Sequence, residues 1–173
     1  MLVNKPIIRS WLRVRIGKLL YTTLRYFDWY FSRKHFAVKF NSGTLPYCIF
    51  NHRTPLIRKL KNLDMWLQYN KVENLKVAAK GINRVIVRPG ETLSYWKLIG
   101  KPTKRKGYKN GLVLRNGKLV TGVGGGLCQL SNLIYWMTLH TSLTVTERYR
   151  HSYDGFPDSG RKQPFGSVER SCG

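Results

Sequence analysis

The sequence predicts an α+β fold, with N-terminal helices and a mostly antiparallel sheet around one central buried helix. Three observations carry that reading. Apolar residues recur at helical spacing through the first half of the chain. β-branched runs bounded by turn residues dominate the second half. One long apolar run, "LCQLSNLIYWMTLH", interrupts those strands, and no alternating βαβ pattern supports a parallel doubly wound sheet.

The elements follow in order. Residues 5–31 read as an amphipathic helix: Ile8, Leu12, Ile16, Leu19, Thr23 and Phe27 recur at three- and four-residue spacing with arginines between them. Gly17 weakens the pattern. This helix either packs on the domain as a basic outer layer or lies on anionic lipid, with Trp, Tyr and Phe at headgroup level and arginines snorkelling. Residues 1–40 are therefore set apart as a basic amphipathic segment, ahead of an α+β domain over 41–173. Residues 41–62 look irregular, with Gly43, Pro46 and Pro55. A second helix is expected from Pro55 to Lys80, although Asn70 and Asn74 suggest a break in it.

"NRVIVRPGETLSYW" predicts a short strand ending at a Pro89-Gly90 turn. "GKPTKRKGYKNG" is a basic loop. "LVLRNGKLVTGV" is the clearest hairpin, because two β-branched runs flank Asn116-Gly117, the pair that a tight two-residue turn requires. A glycine run leads into a helix starting near Cys128. "LTVTERYRHS" reads as a returning strand, and the remaining residues as loop.

Composition bounds the function. The 173 residues suffice for one domain with a core. Thirty-one Lys+Arg against eight Asp+Glu give a net charge of +23, which points to anionic partners. No segment reads as transmembrane or as a signal peptide, so the expected location is cytoplasmic, against the inner face of the membrane. Three cysteines without a CxxC pair, and four histidines without HExxH, give neither a disulfide framework nor a metal site. No cofactor motif is present: "GVGGGLC" lacks the Lys and Ser/Thr of a phosphate loop and does not match GxGxxG.

The stretch "GVGGGLCQLSNLIYW" concentrates the chemistry. Cys128 falls at a helix start, where unpaired N–H groups and the helix dipole favour a thiolate. The glycines leave open space beside the sulfur in this reading. The helix covers roughly 20 Å to Thr141 and an antiparallel strand returns roughly 20 Å by Tyr149, which brings His151 to the level of Cys128. His140 sits at the far end and is disfavoured. Asp154 could orient His151. Glu147 is expected to pair with an arginine as a buried structural charge. Gln129 could donate to an oxyanion together with the Cys128 amide. The competing reading makes Cys128 an inert small hydrophobe behind glycines that let helix and sheet pack closely. Cys48 reads as core, and Cys172 as incidental.

The segments "RPGETLSYWKLIGKPTKRKGY", "GVGGGLCQLSNLIYW" and "TERYRHSYD" resemble the VanW family, in that order along the chain. The likeness extends over residues 51–167. It implies an accessory role in bacterial glycopeptide resistance, beside enzymes that remodel peptidoglycan precursors. The matching positions are Gly124, Gly125, Gly126, Cys128, Gln129, Glu147, Arg148, His151 and Ser152. Of these, Cys128, His151, Gln129 and Glu147 are the candidate catalytic residues, and the glycines with Arg148 and Ser152 the candidate substrate contacts. The ending "PFGSVERSCG" departs from the family pattern and reads as a truncation that would leave a sheet edge unpaired.

Two hypotheses follow from residues and resemblance together. In one, the Cys128 thiolate attacks an amide or peptide carbonyl of a cell-wall precursor while His151 shuttles the proton. In the other, the protein is a binding module without chemistry, holding an anionic cell-wall precursor or an anionic membrane surface. Its densest basic patch is Lys101, Lys104, Arg105, Lys106 and Lys109, with Tyr95, Trp96 and Tyr108 nearby. Nucleic acid is disfavoured, because no helix-turn-helix, RNP or zinc pattern occurs.

Overall fold

Helix α1 spans Trp11–Phe31. Its apolar residues and arginines alternate as expected, but none of its residues is buried; Leu19 is 71% and Phe31 74% exposed. The computed structural model describes residues 10–43, 45–53, 55–57, 64–115, 118–148 and 168–170. After α1 come β1 (His35–Phe36), β2 (Asn51–Arg53), α2 (Met65–Lys80), β3 (Glu91–Thr92), α3 (Tyr95–Ile99) and a 3-10 turn at Lys104–Lys106. The hairpin β4 (Asn110–Arg115) and β5 (Lys118–Val123), helix α4 (Cys128–Thr138) and β6 (Val168–Arg170) complete the described elements.

The fold is α+β, with three two-stranded sheets. Strands β4 and β5 pair antiparallel from Asn110↔Val123 to Arg115↔Lys118, the register of a two-residue connection. Strand β2 pairs antiparallel with β6, so residues of the atypical ending form part of a ladder with β2. Strand β1 runs parallel to β3. The strand expected over "NRVIV" is reduced to a bridge between Phe40 and Val85, with Ile86 N–H donating to the Lys39 carbonyl at 2.9 Å. The Pro89-Gly90 turn forms as expected and is closed by Glu91, whose side chain accepts from the Arg88 N–H at 2.9 Å.

Helix α2 carries more buried positions than any other described element: Leu67, Gln68, Asn74, Leu75 and Ala78. It runs unbroken through Asn70 and Asn74, contrary to the expected break. Both asparagines point their amides at β4 instead of competing with the helix backbone. Asn70 Nδ2 donates to the Asn110 carbonyl at 2.9 Å. The core joins Leu75, Ala78, Ile99, Tyr108 and Leu127, with Tyr95, Val123 and Leu130 against it. Elements from before, within and after the hairpin therefore meet in one cluster. Residues of α4 beyond Cys128 are half-buried.

The expected returning strand does not form over its described part, 143–148. Two side chains there are committed to helices. Arg148 places its guanidinium 3.7 Å from the centre of the Tyr135 ring, and Glu147 pairs with Arg25. Among the described residues, no helix is long and apolar enough to cross a membrane.

Candidate functional site

The glycine run is a turn held from both sides. Asn74, with no exposed surface, donates through Nδ2 to the Gly125 and Lys109 carbonyls, each at 3.0 Å, and accepts from the Lys109 N–H at 2.7 Å. One side chain thus ties the turn to Lys109, the residue just before β4. Gly125 lies directly on the backbone of Gly111, and a Cβ there would sit 2.5 Å from the Leu112 nitrogen. Gly124 (φ +75°) and Gly126 (φ +90°) take backbone angles that other residues resist. Pro102 closes one side of the run and the Lys71 stem the other. The glycines do not leave open space beside the sulfur, as the sequence reading expected. Their space is filled by Gly111, Pro102 and Lys71.

Leu127 closes the turn and is buried. Tyr95 reaches across from α3, and its hydroxyl donates to the Leu127 carbonyl at 3.0 Å. Burial pushes the Tyr95 phenol far above its ordinary pKa, with Tyr108 and Cys128 adding to the effect. The next residue, Cys128, opens α4 and emerges at the surface: it is a free, exposed cysteine. The helix has no side-chain cap, and the backbone N–H groups of Cys128 and Gln129 face the sulfur. Together with the Lys71 charge they pull the thiol pKa down, but desolvation of the sulfur is the larger effect and the net direction is upward.

Exposure and desolvation describe different things here. The residue as a whole keeps exposed surface, while burial around the sulfur disfavours the thiolate. The expectation of a depressed thiol pKa is thereby corrected: the helix start acts in the expected direction and is outweighed.

The other candidates divide. Gln129 Nε2 donates to the Pro55 carbonyl at 3.0 Å, which ties the start of α4 to the segment after β2. Glu147 accepts from Arg25 Nη1 at 2.8 Å and also from Nη2, a two-pronged pair at the surface. The arginine partner is as expected; the burial expected for the pair is not observed. Arg148 rests on Tyr135. His140 stacks on Phe50 with ring centres 4.0 Å apart, at the far end of α4 from Cys128. His151, Ser152 and Asp154 lie outside the described residues. Cys48 is exposed and disulfide-bonded, which corrects its reading as core.

Asn74, Tyr95 and Lys71 escaped the sequence reading as parts of this site. Asn70 and Asn74 did carry a signal: their four-residue spacing puts both amides on one face of α2. Tyr95 and Lys71 offered none, because only the folded chain brings them to residue 128.

Comparison with known proteins decides the family. The family described as VanW like protein matches residues 70–167, more than half of the chain. The chain belongs to the VanW family. That stretch takes in α2 from Asn70 onward, Tyr95, the hairpin and Cys128, so the VanW match covers Lys71, Asn74, Tyr95 and the glycine turn before the sulfur. The VanW-family chain is 45% identical over 123 residues to the Vancomycin B-type resistance protein VanW of Enterococcus faecalis (strain ATCC 700802 / V583), covering 71% of this chain and 45% of that one. It is 35% identical over 83 residues to Uncharacterized protein YoaR of Bacillus subtilis (strain 168), covering 48% of this chain and 27% of that one. The chain thus spans less than half the length of the curated relatives it matches. No solved structure matches it.

Proposed function

We propose that this VanW-family chain is an accessory protein of glycopeptide (vancomycin) resistance, acting on peptidoglycan precursors by cysteine-dependent amide or peptide chemistry at Cys128. The name of the enterococcal relative supports the biological role. The observation that carries the chemistry is exposure. Tyr108, Leu127, Gly124 and Gly125 around the turn are all buried, yet the cysteine that follows them is open to solvent. A cysteine kept only as a small core hydrophobe would be buried like its neighbours.

At rest the group is a neutral thiol, so a general base must take its proton as the sulfur attacks. His151 is the proposed base. The Arg148 guanidinium lies on the Tyr135 ring. From Tyr135 back to Cys128 is about 10 Å along the helix, a distance that three residues of any chain can span, which supports His151 as the partner. In the proposed step the sulfur–carbon bond forms and the thiol proton passes to the imidazole. The carbonyl oxygen gains the charge, facing the amides of the helix start, and the leaving amine takes the proton back as the carbon–nitrogen bond breaks. Gly124–Gly126 here shape the turn, while Arg148 and Ser152 remain the proposed substrate contacts.

The test is Cys128→Ser and Cys128→Ala in a strain whose vancomycin resistance depends on this chain, with a thermal melt of each purified variant. Both variants are expected to lose the resistance contribution while keeping the wild-type melting temperature. Wild-type resistance in both would end the cysteine reading.

A second reading, a non-catalytic membrane-surface module, is favoured by α1. Its exposed Trp11, Ile16, Leu19 and Phe27 lie among Arg13, Arg15, Lys18 and Arg25. In this reading α1 lies on the anionic inner face of the cell membrane and the domain holds an anionic precursor beside it.

A further inference from the structure

A cleft of about 460 Å³ opens between the last turns of α1 and the basic loop that follows α3. One wall is aromatic, with Tyr26, Trp29 and Tyr30; the other is cationic, with Lys97, Lys101, Arg105 and Lys106. None of the lining residues is acidic. The volume falls within the roughly 300–1,000 Å³ usual for small-molecule sites.

Part of this wall is already engaged. Lys97 Nζ donates to the Trp29 carbonyl at 2.7 Å and lies 5.0 Å from the centre of the Tyr30 ring, so it fastens α1 to α3. Lys106 Nζ donates to the Ile99 carbonyl at 3.3 Å. Lys101 and Arg105 are exposed and make no ion pair with the described residues. The indole N–H of Trp29 is buried and has no hydrogen-bond partner among the described residues. The cleft therefore combines two uncommitted cations, an unanswered N–H donor and flat aromatic faces.

We infer that this cleft is a binding site for a diphosphate carried on a larger group, either a nucleoside diphosphate or a polyprenyl diphosphate. Arg105 supplies the planar fork that grips phosphate oxygens in pairs, and Lys101 a mobile point charge beside it. Tyr26 and Tyr30 offer surface for the carried group, whether a base or a hydrocarbon chain. The site shares no lining residue with the turn at Cys128. It rests on the proposed function only for the ligand's origin in cell-wall chemistry.

The experiment is calorimetric titration of the full chain with uridine diphosphate, farnesyl diphosphate, inorganic pyrophosphate and uridine. Wild type is set against the Lys101→Ala/Arg105→Ala double variant, Tyr30→Ala and Lys80→Ala, with a thermal melt for each. Wild type is expected to bind the three diphosphate probes and not uridine. The double variant is expected to lose about tenfold or more in affinity, since each charged hydrogen bond contributes on the order of a factor of ten. Tyr30→Ala weakens the two carried diphosphates and spares pyrophosphate. Lys80→Ala, an exposed lysine on α2 outside the cleft's lining, binds as wild type. Tighter binding of uridine diphosphate assigns a nucleotide-linked ligand, and tighter binding of farnesyl diphosphate a lipid-linked one. The inference is overturned if folded wild type binds no diphosphate, if the double variant binds unchanged, or if Lys80→Ala loses as much as the double variant. None of these variants touches Cys128, so failure here leaves the cysteine reading intact, and the reverse holds too.

Discussion

Asn74 is wholly enclosed, and its three hydrogen bonds bind the glycine turn to Lys109, the residue just before β4. Truncating it removes those bonds and leaves the Lys109 N–H and the buried Gly125 carbonyl unanswered, while the Lys109 carbonyl keeps the Gly124 N–H. Asn74→Ala is therefore expected to cost about 2–4 kcal/mol in urea unfolding, more than a lost surface contact would. Tyr95→Phe deletes one buried hydrogen bond without changing shape, and about 1 kcal/mol is expected in the same assay. Gly125→Ala has no such latitude. Its new methyl would enter the Gly111 backbone, so a loss of soluble folded protein is expected on expression. The importance of "GGG" was legible in the sequence, but its purpose was not. Close approach of one backbone to another depends on a partner more than ten residues away, and no spacing rule announces it.

Among the elements, α2, the hairpin and the start of α4 were readable, because each is specified locally: apolar periodicity, a two-residue turn, an apolar run after glycines. The segment after α4 was misread for a physical reason. "LTVTER" has strand-forming residues, but strand propensity expresses itself only against a neighbouring strand. Here Arg148 and Glu147 find Tyr135 and Arg25 instead. Helix α1 depends on a similar tether. Lys97 answers a carbonyl in its last turn, where the helix itself leaves carbonyls unbonded, and sits over the Tyr30 and Phe36 rings. Lys97→Ala is expected to speed amide hydrogen exchange across residues 26–31 and leave α2 unchanged. Equal protection in the variant would show that the tether contributes nothing.

At the scale of the whole molecule, a charge of +23 and an α1 with no buried residue point toward an anionic surface. Sedimentation with anionic vesicles is expected to fall steeply as sodium chloride rises from about 50 to about 500 mM, because screening shortens the reach of every exposed charge. Binding that ignores both salt and lipid charge would contradict the surface reading. The α+β class and the charge were legible in composition and pattern. The convergence of α2, α3 and the hairpin on one sulfur was not, because it is set by long-range contacts. That convergence leads to the central claim, an accessible thiol standing above a buried turn. It is tested most directly by iodoacetamide alkylation of the folded chain, mapped by peptide mass spectrometry across pH. Cys128 is expected to label without denaturant, slowly at neutral pH, with a rate still climbing beyond about pH 9, since desolvation moves its titration upward. Labelling of Cys128 only after unfolding would contradict the account.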